Sequence, residues 1–138
     1  MEHLNIDSGA VKLAVNGDES RVVTIYPTDA RFAEEFFGLA KAFREKRREM
    51  VDRAARLKGK TGAAEEELAL LRETYTFIRK EIDRVFGLGT AETVFGNHDV
   101  MTAYIQFFQG LEPYIRKARQ KEIDRYLKDS DKGAVMEL

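Results

Sequence analysis

Cysteine is absent from the 138 residues, and so is tryptophan. The first absence excludes disulfides, thiolate zinc sites and a thiol nucleophile together. Only two prolines and ten glycines punctuate the chain, which argues for a few long elements rather than many short strands. An excess of one charge is missing too: 23 Lys and Arg stand against 24 Asp and Glu, a net charge of −1. The molecule as a whole is therefore neither a polybasic nucleic-acid binder nor an acidic tail protein. No apolar run approaches the roughly 20 residues that span a bilayer. Met1 to Ile6 shows no basic, apolar leader, so no signal peptide is read there. The expectation is one soluble cytoplasmic domain, able to bury about two thirds of its surface.

What is present is helical periodicity. Between Ala63 and Phe86, apolar residues fall at Leu68, Leu71, Tyr75, Ile78, Ile82 and Val85, the three-four spacing of one stripe along an α-helix. Charged residues fill the positions between. Burying six such side chains is worth roughly 9–18 kcal/mol gross, so this helix requires a partner. The preceding segment supplies one. Phe32, Phe36, Leu39, Phe43, Met50, Ala54 and Leu57 repeat at helical spacing, with Thr28 or Asp29 as N-cap. Gly59 and Gly62 close that helix. Helices over 30–58 and 63–86 joined by so short a turn predict an antiparallel αα-hairpin.

Residues 1–29 read as β. Val11, Leu13 and Val15 alternate with Lys12 and Ala14, and Arg21 to Tyr26 is a β-branched run. Asn16-Gly17 between them signals a hairpin. The polar cluster through Ser20 suggests a bulged or four-to-five-residue turn, and Leu4-Asn5-Ile6 a further short strand. Such a hairpin is marginal alone and must lie on the helices or on a second molecule.

After Gly87-Leu88-Gly89, Thr90 can cap a short helix over 90–96. Asn97-His98-Asp99 then offers caps for a last helix over 100–128, leaving 129–138 as a flexible tail. That last helix carries two adjacent stripes. Val100, Tyr104, Phe107, Leu111, Tyr114 and Ala118 form one; Met101, Ile105, Phe108 and Ile115 form the other. A helix apolar over so much of its circumference is buried on two sides or faces another chain. Pro113 inside it predicts a kink near Gln109-Gly110. The fold class expected is α+β, mostly α, as a single domain over 1–128.

Few constellations point to chemistry. Nine Lys/Arg against three Asp/Glu between Lys41 and Lys60 could face nucleic acid. No aromatic residues interleave them as a stacking platform would require, and Glu45, Glu49 and Asp52 offer intrahelical partners. His3 and His98 have no ligand companions at metal spacing. Gly87-Leu88-Gly89 follows a helix, not a strand, and lacks the Lys of a phosphate loop. Glu65, Glu66 and Glu67 suit a helix N-terminus. No nucleophile elbow or kinase-type signature occurs. Neither an enzyme nor any cofactor or metal is expected. The aromatic residues are left over. Tyr104, Phe107, Phe108 and Tyr114, with Phe37 from the first helix, are the candidates to line a partner-binding groove.

Several motifs carry a family resemblance. Leu4-Asn5-Ile6-Asp7-Ser8-Gly9, Val15-Asn16-Gly17, Ile25-Tyr26-Pro27-Thr28-Asp29 and Arg31-Phe32 form the first group. Val85-Phe86-Gly87-Leu88-Gly89-Thr90-Ala91, Val94-Phe95-Gly96 and Phe107-Phe108-Gln109-Gly110-Leu111-Glu112-Pro113-Tyr114-Ile115 form the second. Together they resemble small tail assembly chaperones of Firmicutes siphophages and prophages, over roughly residues 3–127. The segment 44–68 matches in helical character only.

The resemblance implies a protein of the bacterial host cytoplasm, encoded just ahead of the tape measure gene. Such a protein binds the long helical tape measure and keeps it soluble during tail tube assembly, and is absent from the finished virion. A homo-oligomer, most simply a dimer, is expected. Two rival expectations stand beside this one. A DNA-binding regulator would use the basic face 41–60. A structural tail or connector protein would remain in the particle.

Overall fold

The computed structural model describes residues 1–136, with side chains through Asp129. Two strands, β1 (Val11–Val15) and β2 (Asp18–Ile25), precede four helices: α1 (Ala30–Leu57), α2 (Ala63–Phe86), α3 (Thr90–Phe95) and α4 (Met101–Met136). The architecture is the expected mostly helical α+β arrangement.

The strands pair antiparallel, Val11 opposite Ile25 and Leu13 opposite Val23. Their connection is tighter than the composition suggests. Only Asn16 and Gly17 lie between the strands, at φ of 53° and 74°. Asn and Gly enter this left-handed region most readily, and paired positive φ values match the twist of a hairpin. The polar residues after Gly17 belong to β2, and the irregularity falls between Ala14 and Val15. Residues 1–10 form no strand. Leu4 and Ile6 are exposed, because no neighbouring strand offers them backbone partners.

Asp29 caps α1, accepting from the Arg31 and Phe32 amides at 2.9 and 3.4 Å. The two long helices extend for about 42 and 36 Å. Their stripes meet as an αα-hairpin, with one phase correction. Leu68 is 61% exposed, while Leu70 is buried. The inward stripe of α2 runs Leu70, Thr74, Tyr75, Ile78 and Ile82. The near end of α2 carries apolar residues on two faces, so spacing alone does not choose the buried one. Thr74 is tolerated inside because its hydroxyl donates to the Leu70 carbonyl at 2.9 Å. Leu70→Ala should cost about 2–4 kcal/mol, and Leu68→Ala less than about 0.5 kcal/mol. Urea denaturation of the two variants separates them.

The core lies where the hairpin, the start of α1, the end of α2, α3 and the first half of α4 converge. Val23 and Ile25 of β2 are buried in it. The hairpin thus rests on the helices of its own chain.

The caps of the short elements differ from expectation. Thr90 sends its hydroxyl to the Gly87 carbonyl at 2.7 Å; the N-cap position of α3 is Gly89. The amide of Ala91 is instead satisfied by the Asp83 carboxylate, 2.9 Å away on α2. α4 continues through Pro113 as one helix to Met136, about 54 Å in length. The tail expected from residue 129 is therefore helical through Met136. Ser130, Asp131 and Gly133 each cost a helix only about 0.5–1 kcal/mol, and no proline follows to stop it. Residues 137 and 138 of that tail lie outside the described residues.

Candidate functional site

The aromatic residues assort by depth. Phe36, wholly buried, lies among four rings: Phe32 at 6.4 Å, Phe37 at 5.5 Å, Phe86 at 6.0 Å and Phe108 at 6.2 Å. Phe108 also stacks on Phe43 at 4.7 Å. Tyr104 stacks on Phe95 at 4.0 Å and meets Tyr75 at 5.1 Å.

Tyr104 and Phe108, two of the five candidate partner-binding residues, are thus core residues, 0% and 5% exposed. The inward face of α4 is Tyr104, Phe108, Leu111 and Ile115, a three-four stripe drawn from both apolar rows. Tyr114 is 42% exposed and Val100 is 54% exposed. Phe107 and Phe37 are half-buried. They line two different clefts.

A polar clamp fixes the start of α4. Arg79 of α2 donates to the Asp99 carboxylate at 2.8 Å and to the carbonyls of Gly96 and His98 at 2.8 and 3.1 Å. Its guanidinium lies 5.9 Å from the Phe95 ring. The Tyr104 hydroxyl donates to the same Asp99 oxygen at 2.7 Å. Burial pushes the Asp99 carboxyl up, but the Tyr104 and Arg79 hydrogen bonds and the Arg79 charge outweigh it and hold the group below the usual carboxylate range. Burial, reinforced by the bond to Asp99, pushes the Tyr104 phenol well above its ordinary value. Asp99 therefore serves as acceptor for this clamp, not as the helix cap expected from the Asn97-His98-Asp99 run.

A second anchor ties the hairpin down. Arg21 of β2 donates to the Thr93 and Val94 carbonyls at 3.0 and 2.7 Å, which satisfies the end of α3.

The first cleft has a volume of about 380 Å³. One wall is the inner face of the hairpin, with Leu13, Val15 and Val23; the other is α4, with Ala103, Phe107 and Leu111. Val94 and Phe95 contribute from α3. Only Asn16 and Gln106 bring polar side chains. Among the lining residues there is no charge, nucleophile or titratable group, so this cleft is suited to apolar side chains and not to acid–base chemistry. β1 pairs with β2 on one side only. Phe107 forms part of the cleft and packs against Phe86 at 5.2 Å and Phe95 at 5.6 Å. Sequence reasoning found Phe107 but missed the opposing wall. The alternation Val11, Leu13, Val15 was its available signal.

The second cleft, about 680 Å³, lies where α4 leaves the core, lined by Phe37, Pro113, Arg116, Gln120 and Ile123. The Arg116 guanidinium covers the Phe37 ring at 4.7 Å and is held by Glu112 at 2.9 Å.

The basic segment of α1 is partly engaged. Lys46 and Arg53 both pair with Glu73 of α2, at 3.6 and 3.4 Å, and Arg44 with Glu112 at 3.8 Å. Lys46 also lies 5.3 Å from the Phe77 ring. Among the described residues, no three His, Cys, Asp or Glu gather as a metal site. No helix among them is long and apolar enough to cross a membrane.

Comparison with known proteins assigns the chain to a family. Residues 22–132 match the family described as a family of unknown function, DUF6673, and the chain belongs to it. No curated protein and no solved structure matches.

Proposed function

We propose that the protein is a tail assembly chaperone that holds apolar helical segments of a tape measure protein, without enzymatic activity. The observation that carries the reading is the uncharged cleft between the hairpin and α4. It is already shaped in the folded chain, and Arg21 holds α3, which contributes Val94 and Phe95 to it. A cleft of this size admits a few side chains and not a whole helix. That suits a groove that grips successive anchors of a long amphipathic helix. The resemblance of its motifs to those of tail assembly chaperones supports the same reading. The rival use of the basic face of α1 finds less support, since Arg44, Lys46 and Arg53 are drawn into ion pairs with acids of the same chain.

The test is co-expression with a tape measure protein. Soluble tape measure should depend on the cleft. Ala103→Glu and Gln106→Glu place charge in it without removing a core ring, and should lower the soluble fraction severalfold at unchanged far-UV circular dichroism. Unchanged solubility with both variants contradicts the reading. Phe108→Ser is the wrong probe, because it opens the core.

A further inference from the structure

Gly110 stands in the body of α4, between Met101 and Met136. A glycine inside a helix weakens it relative to alanine, because the bare backbone loses the most freedom on folding. Nothing in the folded chain requires one here. The φ of Gly110 is not positive, and a Cβ built on it would meet no atom within 4 Å. Pro113 lies close by, but its ring crowds the carbonyl four residues back, at Gln109. The space a side chain at 110 would occupy belongs to the uncharged cleft, which Gly110 lines. It follows Phe107 by one turn on the same face of α4. Phe107 is half-buried and Leu111 buried, whereas Gly110 is exposed. Gly110 therefore marks the mouth of the cleft and not its floor.

A cleft of about 380 Å³ takes side chains only, so the backbone of a bound helix stays at the mouth. How near it comes is set by what projects from α4 there. Packed helices lie about 8–10 Å apart, axis to axis, according to the side chains at the crossing. A side chain at 110 would hold a partner at the far end of that range. A glycine admits the near end, and so lets the partner's apolar side chains reach Phe107 and Leu111.

We infer that Gly110 is the crossing point at which the bound tape measure helix lies closest to α4, and that its missing side chain sets how deeply the apolar anchors of that helix enter the cleft. This assignment rests on the tape measure reading of the cleft and names the residue that sets its depth.

The test is co-expression of variants with a tape measure protein, read beside the Tm of each purified variant. Gly110→Ala should raise Tm by about 2–5 °C, since alanine is the better helix former and its methyl group meets nothing in the folded chain. The same variant should lower the soluble tape measure about twofold, and Gly110→Leu about tenfold, because the cost of overpacking a close contact grows with the volume added. Gly38→Ala is the matched control. Gly38 also lies inside a helix, with nothing within 4 Å of a Cβ, but in a charged groove beside Arg31, Glu34 and Glu35. That variant should raise Tm equally and leave the soluble fraction unchanged.

A fall in Tm with Gly110→Ala would mean that the glycine serves the turn before Pro113, and overturns the inference. So does a loss of soluble tape measure with Gly38→Ala, which would trace the effect to helix stiffness. Unchanged solubility with Gly110→Leu, where Ala103→Glu removes it, overturns the inference and leaves the cleft as the binding site. Unchanged solubility with both Ala103→Glu and Gln106→Glu removes the cleft reading, and this inference with it.

Discussion

Phe36→Ala should cost about 3–5 kcal/mol of folding stability. The ring is wholly buried, and four other rings pack around it from the start of α1, from α2 and from α4. Its removal leaves a cavity whose walls belong to three elements, so collapse of one cannot fill it. Domains of this size are held by about 5–15 kcal/mol, and the loss is therefore a large part of the total. Phe37→Ala, one position away, is the matched control. Phe37 is half-buried and covered by Arg116, a contact worth about 0.5–1 kcal/mol. Urea denaturation should show a large fall in midpoint for the first variant and a small one for the second. Equal effects would contradict the placement of the core.

Arg79→Met should cost about 2–3 kcal/mol, from the loss of hydrogen bonds between a charged donor and the Asp99, Gly96 and His98 acceptors. The damage should be local as well as global. Amides from Gly96 to Tyr104 should exchange faster with solvent, since Arg79 is what ties this turn to α2. The same clamp sets a pH dependence. Asp99 has a folded pKa below its unfolded value, so it binds protons less readily when folded. Its stabilisation is present above about pH 4 and is lost as pH falls through the lowered folded value. Tyr104 shifts the other way. Its contribution is complete below about pH 10 and fades as pH rises beyond that. Asp99→Asn should flatten the acid limb of the stability curve, while Tyr104→Phe should flatten the alkaline limb. A curve unchanged by either variant would contradict the clamp.

The long elements were legible because their apolar residues recur at one period over many turns. Phe32, Phe36, Leu39 and Phe43 in α1 and Tyr75, Ile78 and Ile82 in α2 leave no choice of face. α4 was harder for the opposite reason. Its first half is apolar on more than half of its circumference, and periodicity cannot say which side its own chain covers. Tyr104 and Phe108 belonged to the core, while Phe107 and Phe37 belonged to separate clefts.

The clamps were not legible at all. Arg79 and Asp99 are 20 positions apart, and Arg21 meets Thr93 across 72. An arginine flanking an apolar stripe looks like any solvated charge until the fold brings a carbonyl to it. The cap of α3 by Asp83 has the same character. The hairpin wall of the cleft was written in the alternation of β1, but what it would face depended on where α4 lies.

Hydrogen exchange of the chain, alone and with a tape measure protein as the proposed partner, tests the central claim most directly. The account predicts new protection at residues 11–16 of the hairpin and 103–111 of α4, the two walls of the uncharged cleft, with the outer face of α1 from Lys41 to Lys60 unchanged. Binding that protects the α1 face and leaves both cleft walls exchanging as before would contradict it.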